Sequence, residues 1–219
     1  MKLQTAIEIL EYHQAWRLGE KEDMIHAPKK LTEALNVVLS ETKKCSKCKA
    51  TRVWEMPNSN TFDIKCIGKL IHKYFKPEFE SIDPFANKNR IAKITNDLDP
   101  EMKADYCMDA LDFLKQFTDN SMDFVLYDPP YSPRQVSECY KKLGKTVNMQ
   151  TTQASFWGNL KKEIARITKP NGIVISFGWN TNGIGKTKGF EIIEILIVAH
   201  GGSHNDTICT VERKLPTLF

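Results

Sequence analysis

The spacing of hydrophobic positions changes along this chain. Ala6, Ile9, Leu10 and Trp16 recur near one face of a helical wheel, so residues 5–18 predict an amphipathic helix. Thr5-x-x-Glu8 has the form of a capping box, and Gly19 can end the helix. Pro28 suits the first turn of a second helix, with Leu31, Leu35 and Val38 at helical spacing. Residues 41–50 (ETKKCSKCKA) are charged and small, and read as a linker. Beyond it come short continuous apolar runs at 124–127, 173–177 and 190–199, the pattern of strands buried on both faces. Helical patterns separate them: Ile64, Ile67, Leu70 and Ile71; Leu111, Leu114 and Phe117; Val136, Cys139, Tyr140 and Leu143; Phe156, Leu160, Ile164 and Ile167. Lys169-Pro170-Asn171-Gly172 reads as the turn closing the last helix. Strands alternating with helices predict an α/β domain with a mostly parallel sheet over residues 46–219, behind a small helical appendage at 1–45. Turn residues at 200–206 lead to a last strand at 207–213, a C-terminal antiparallel hairpin. If the strand before that hairpin runs parallel to 124–127, His200, His204, Asn205 and Asp206 stand at the sheet's carboxyl edge.

The two appendage helices must bury their apolar faces on the main domain, on each other in a homodimer, or on a partner. Neither carries a dense row of Arg and Lys, which argues against a DNA-reading helix pair. Cys45-x-x-Cys48 invites a zinc reading with Cys66 and His72, but a tetrahedral site needs a second closely spaced pair and Cys66 lies within an apolar helical pattern. The expectation is therefore no metal.

The chemistry concentrates at Asp128-Pro129-Pro130-Tyr131, directly after the strand 124–127. Proline gives no N–H to a ladder, so the backbone must leave the sheet in a stiff turn. A carboxylate, a proline-flanked carbonyl and an aromatic ring then sit at the carboxyl end of a strand, where open α/β sheets place their chemistry. An exocyclic amine on a purine ring is a poor nucleophile because its lone pair is delocalised. Asp128 and the Pro129 carbonyl can each accept one of its N–H bonds, and Tyr131 can stack on the heterocycle. A given tetrapeptide arises by chance in a chain this long about once in a thousand, at ~5% usage per residue type.

Asp-Pro-Pro-Tyr after a hydrophobic strand resembles motif IV of the amino-group DNA methyltransferases. The longer runs 128–135 (DPPYSPRQ) and 56–71 (MPNSNTFDIKCIGKLI) are similar to small phage-type adenine-N6 enzymes. The resemblance covers residues 50–215. It implies a Rossmann-like methyltransferase fold, S-adenosylmethionine as cofactor, DNA as partner, and the cytoplasm of a bacterium or phage-infected host. It also implies roles for particular residues. Asn58 and Thr61, in the polar turn of motif X, line the methionine end of the cofactor; the local alternative is a helix capped by Asn60 or Thr61. Asp83-Pro84-Phe85 opens motif I, but Asn87-Lys88-Asn89 stands where glycines usually follow. Asn can adopt the left-handed conformations that Gly supplies. Asp97, ending a strand over 92–98, can accept from both ribose hydroxyls. Asp109 and Ala110 fall at motif III, where the cofactor's adenine is held.

Six cysteines at irregular spacing give no disulfide framework, no leader is recognised, and no run approaches the ~20 apolar residues that span a bilayer, so no membrane is expected. A net charge of +4 permits a polyanionic partner without demanding one. Arg134, Lys141, Lys142 and Lys145 follow the catalytic turn and can meet phosphates, or form a solvated helix face. No cysteine is expected to neighbour the site, so direct transfer with no covalent enzyme intermediate is expected. No block remains for a separate recognition domain, which predicts a short or relaxed target. Two alternatives stay open: another amine (cytosine N4, RNA adenine or protein glutamine), or a non-catalytic nucleic-acid-binding subunit, motivated by the missing glycines.

Overall fold

The computed structural model describes residues 1–45, 48–144, 153–202 and 204–216. The chain divides into two compact units, Met1–Lys47 and Cys48–Phe219.

The first unit is a pair of helices, α1 (Leu3–Arg17) and α2 (Pro28–Cys45), around Ala6, Ile9 and Ala34. Pro28 begins α2 as its spacing predicts. Gly19, at φ 79°, closes α1 in the left-handed conformation that costs glycine least. The capping box does not form: α1 starts at Leu3, so Thr5 already lies inside the helix, and the cap position is Lys2 with no side-chain bond. The linker reading is also corrected, because residues 41–45 continue α2 and residues 49–54 form a strand.

The second unit is built on seven strands: β1 (Lys49–Trp54), β2 (Ser81–Asp83), β3 (Ile94–Thr95), β4 (Met122–Tyr127), β5 (Thr168–Gly178), β6 (Phe190–Ala199) and β7 (Thr207–Lys214). Their order is β1-β6-β7-β5-β4-β2-β3. Pairing is parallel at β1/β6, β2/β3, β2/β4 and β4/β5, and antiparallel only where β7 lies between β5 and β6. This is a Rossmann-like sheet with a C-terminal antiparallel hairpin, and β6 does run parallel to β4.

Side chains alternate across each strand, so β4 feeds two cores. Phe124 and Leu126 pack with Ile67, Leu70 and Ile71 of α3 (Lys65–Tyr74) on one face. Val125 and Tyr127 pack on the other with α4 (Ala110–Leu114) and α6 (Ala154–Ile167), while α5 (Pro133–Lys142) follows the turn at 128–131. Burial on both faces explains the unbroken apolar run that marked β4.

Three local readings are revised. Lys169-Pro170-Asn171-Gly172 belongs to β5 as a bulge: the register passes from Met122↔Thr168 to Phe124↔Ile173, and Asn171 has φ 65°. Gly172 is required there, since a Cβ would stand 2.8 Å from the Lys169 carbonyl oxygen. The strand expected over 92–98 shrinks to Ile94–Thr95, where the Asp105 carboxylate accepts the Thr95 N–H (2.8 Å). Finally, α3 has no cap from Asn60 or Thr61; the Glu55 carboxylate accepts the Cys66 N–H at its first turn (3.1 Å).

Among the described residues no helix is long and apolar enough to cross a membrane. None holds three His, Cys, Asp or Glu side chains grouped as metal ligands. Cys48 and His72 are exposed. The Cys45 side chain and Lys145, both singled out above, lie outside the described residues.

Candidate active site

The carboxyl ends of β2, β3 and β4 meet at a cavity of about 490 Å³, and the turn after β4 forms one wall. Strand β4 ends at Tyr127 and Pro129 and Pro130 carry the chain out of the sheet. Ser132 then caps α5 by accepting the Gln135 N–H (3.3 Å), with Pro133 as its first residue. Gln135 reaches back to accept the Tyr131 N–H (2.6 Å), so cap and turn hold each other. From α6, Trp157 donates Nε1–H to the Pro130 carbonyl (2.8 Å). The Pro129 carbonyl accepts no hydrogen bond among the described residues.

Asp128 lines the cavity and forms no ion pair among the described residues. Its Oδ1 accepts the Tyr131 hydroxyl. Burial raises its pKa, and the hydroxyls of Tyr131 and Thr61 oppose that rise. The Tyr131 ring meets Trp179 edge-on, with centroids 5.6 Å apart. The ring expected to be free for stacking is thus pinned at its hydroxyl and buttressed by a tryptophan.

The turn after β2 departs from a glycine loop as its sequence indicates. Asn87 adopts φ 49°, the left-handed conformation, and its N–H donates to Asp97 Oδ2 (2.8 Å). Asp97 Oδ1 accepts the Asp99 N–H (2.9 Å), so this carboxylate holds two turns together while lining the cavity. Asn96, unnoticed in the sequence, ties the same walls: its Nδ2 donates to the carbonyls of Pro84 and Met108, each at 3.1 Å. Asp109 caps α4 at the Leu111 N–H (2.9 Å) and accepts the Tyr140 hydroxyl (2.6 Å).

Thr61, Pro84, Phe85, Asp97, Asp109, Ala110 and Asp128–Tyr131 all line this one cavity. Two cofactor-site expectations are not part of the lining: Asn58 is exposed beside it and Asp83 is buried behind it. The Asn58 side chain accepts the Asn60 N–H (2.9 Å) and shapes the turn. Asp83 is 1% exposed; its Oδ1 accepts the Phe85 N–H (3.0 Å) and its Oδ2 has no partner. Burial, then the nearby charges of Asp128 and Asp97, push the Asp83 carboxyl up to about 8.

The basic residues divide. Lys142 lines the cavity and pairs with Asp99 (3.3 Å), whose carboxyl is held low by the Glu101 N–H and by that lysine. Arg134 is exposed and pairs with Glu138 (2.8 Å), and Lys141 is exposed. His204 and Asn205 are exposed on the β6–β7 connection. His200 is corrected. It is buried, with Nδ1 2.8 Å from the Glu55 carbonyl and Nε2 2.9 Å from Thr207 Oγ1, so it fastens strand ends together and faces no ligand.

A cysteine does neighbour the site, against expectation. Cys139 lines the cavity from α5, where burial and the Asp97 charge raise its pKa and keep it a thiol, a poor nucleophile. Taken together, the cavity is walled by four aspartates, with a fifth behind, and by one lysine already paired. Such a lining favours a ligand carrying positive charge.

No family model matches the chain, and no curated protein does. Among solved structures, TrmN from Thermus thermophilus is similar at 15% identity, over 69% of this chain and 49% of that one, with a TM-score of 0.49. This chain spans about half the TrmN chain. A SAM-dependent methyltransferase from Archaeoglobus fulgidus is similar at 11% identity over 68% and 94% of the two chains (TM-score 0.47). So is the 1,6-didemethyltoxoflavin-N1-methyltransferase of Burkholderia thailandensis, whose structure holds S-adenosylhomocysteine, at 10% over 90% and 94% (TM-score 0.47). At these identities the likeness is one of fold.

Proposed function

We propose that this chain is an S-adenosylmethionine-dependent methyltransferase that acts on adenine N6 in DNA. The observation that carries the reading is the Asp128–Tyr131 turn, a rigid acceptor pair at the wall of an acid-lined cavity. The cavity suits the cofactor in size, at about 490 Å³, and in charge, since a sulfonium and an ammonium outnumber one carboxylate. Thr61, Asp97, Asp109 and Ala110 would hold it, as their places around the cavity allow. When bound, it supplies an activated methyl group and no metal is needed. Asn87 provides the left-handed turn that glycine would otherwise give, which favours a competent site over a non-catalytic subunit.

The chain's own part is to orient the amine and draw density onto its nitrogen. A carboxylate oxygen has two lone pairs, so accepting the Tyr131 hydroxyl leaves Asp128 able to accept an N–H as well. The Pro129 carbonyl is free to accept the second. Both bonds strengthen as positive charge grows on nitrogen, which is the condition for lowering a barrier. In this reading transfer is direct, and neither Cys139 nor Cys209 has a part in it.

Asp128 must be ionised to act. Its folded pKa is raised, so activity is lost as pH falls through a value above the ordinary carboxylate range of ~3.9. Tyr131→Phe keeps the ring but removes a hydroxyl that lowers this pKa, and moves the acid limb of the kcat profile to higher pH. An unmoved limb rejects Asp128 as its source. The reading itself is tested by mass spectrometry of nucleosides from DNA and RNA of cells expressing the protein. N6-methyladenine in DNA is expected; a methylated cytosine or RNA adenine would redirect it.

A further inference from the structure

A second hollow, of about 70 Å³, backs onto the same turn, with Pro129 and Tyr131 lining both. Its floor includes Tyr127 and Ser176, directly paired across β4 and β5 and therefore on one face of the sheet. They are 2% and 6% exposed, and neither hydroxyl has a partner. Lys161 of α6 enters from the side, half-buried and in no ion pair among the described residues. Burial lowers its pKa and nearby Lys188 adds to that, while the Glu212 charge opposes both. Glu212 lies outside the lining, and its oxygens already accept the N–H groups of Ile184 (2.5 Å) and Gly185 (2.9 Å). No acid lines this hollow, in contrast to the cavity beside it.

We propose that this hollow is a phosphate subsite in which Lys161, Tyr127 and Ser176 hold the phosphodiester beside the nucleotide whose base enters the main cavity. One ammonium and two buried, unpartnered hydroxyls line the same hollow, and an acceptor-rich anion answers all three. The volume is about twice the ~30 Å³ that one water occupies, room for a small oxyanion and too little for a base. The two hollows sort charge, with the acid-lined side facing a cation and the lysine side a polyanion. The source of the phosphate rests on the function proposed above; the subsite itself does not.

The test compares wild type with Lys161→Met, using Lys161→Arg to retain the charge and circular dichroism to confirm an intact fold. Inorganic phosphate should raise the melting temperature of wild type above that in chloride of equal ionic strength, and should not do so for Lys161→Met. Affinity for an adenine-containing oligodeoxynucleotide should fall about tenfold in Lys161→Met. Its dependence on log salt should flatten by about 0.7–0.9, one phosphate contact, with Arg restoring both. No phosphate effect and an unchanged slope mean ordered water only, and overturn the subsite. Oligonucleotide binding by wild type with the slope unchanged in Lys161→Met overturns the subsite and leaves the methyltransferase reading standing. A phosphate effect without oligonucleotide binding by wild type overturns the nucleic-acid source along with that reading.

Discussion

Replacing Asp128 by alanine is expected to lower the single-turnover methyl-transfer rate about a thousand-fold or more, with S-adenosylmethionine affinity kept within a few-fold. The asymmetry follows from position. Asp128 sits on the turn after β4, while Asp97 and Asp109, the carboxylates proposed to hold the cofactor, are fixed by other turns. Removing one oriented acceptor that acts on developing charge costs roughly 10²–10³ in rate. Loss of the negative charge from a buried site adds to that. Rapid-quench assay and calorimetry on the same preparation separate the two quantities. Rate and affinity falling together would refute the role given to Asp128.

Asp83→Asn is expected to stabilise the protein at pH 8 while leaving it nearly unchanged at pH 4. The folded carboxyl titrates at about 8 and the unfolded one near ~3.9. Between those values the folded chain keeps a proton that the unfolded chain has lost, so stability falls as pH rises through the window and levels off above it. The full penalty is on the order of 5 kcal/mol, an upper bound given the relaxation a real site allows. Urea denaturation at pH 5, 7 and 8.5 checks it: the slope should be clearly steeper in wild type than in the variant, where the raised Asp128 and Glu212 carboxyls remain. An equal slope in both would assign the titration elsewhere. The same group links folding to ligand. A cation in the adjoining cavity favours ionised Asp83, so binding should release a proton, and the calorimetric heat should vary with the buffer's ionisation enthalpy in wild type only.

What could be read from residues alone was whatever depends on runs and neighbours in sequence. The strand before Asp128 was legible because β4 is apolar on both faces, and the hairpin because turn residues bracket two apolar strands. Strand β1 was missed because Lys49–Trp54 is an edge strand whose residues are almost all exposed, so its pairing with β6 leaves no apolar signature. The capping box failed for a related reason: a cap motif marks a helix start only where the helix has not already begun. Contacts distant in sequence were invisible. Asn96 bridges Pro84 and Met108, Trp157 holds Pro130, Trp179 meets Tyr131, and Lys161 enters from α6. Each of these depends on packing that no local pattern encodes. Local reading also placed His200 at the correct edge of the sheet, but could not tell that both its ring nitrogens are occupied there.

The place of β7 has a consequence for how the molecule assembles. Residues 207–214 lie between β5 and β6, so until they exist the sheet is two blocks, β5-β4-β2-β3 and β6-β1, with no ladder joining them. The first block already holds Asp83, Asp97 and Asp128, yet its inner edge at β5 stays open to any strand that will pair with it. Glu212, the carboxylate that ties down Ile184 and Gly185, also arrives with that last segment. The loop that carries Trp179 is therefore tied down only once β7 has joined the sheet.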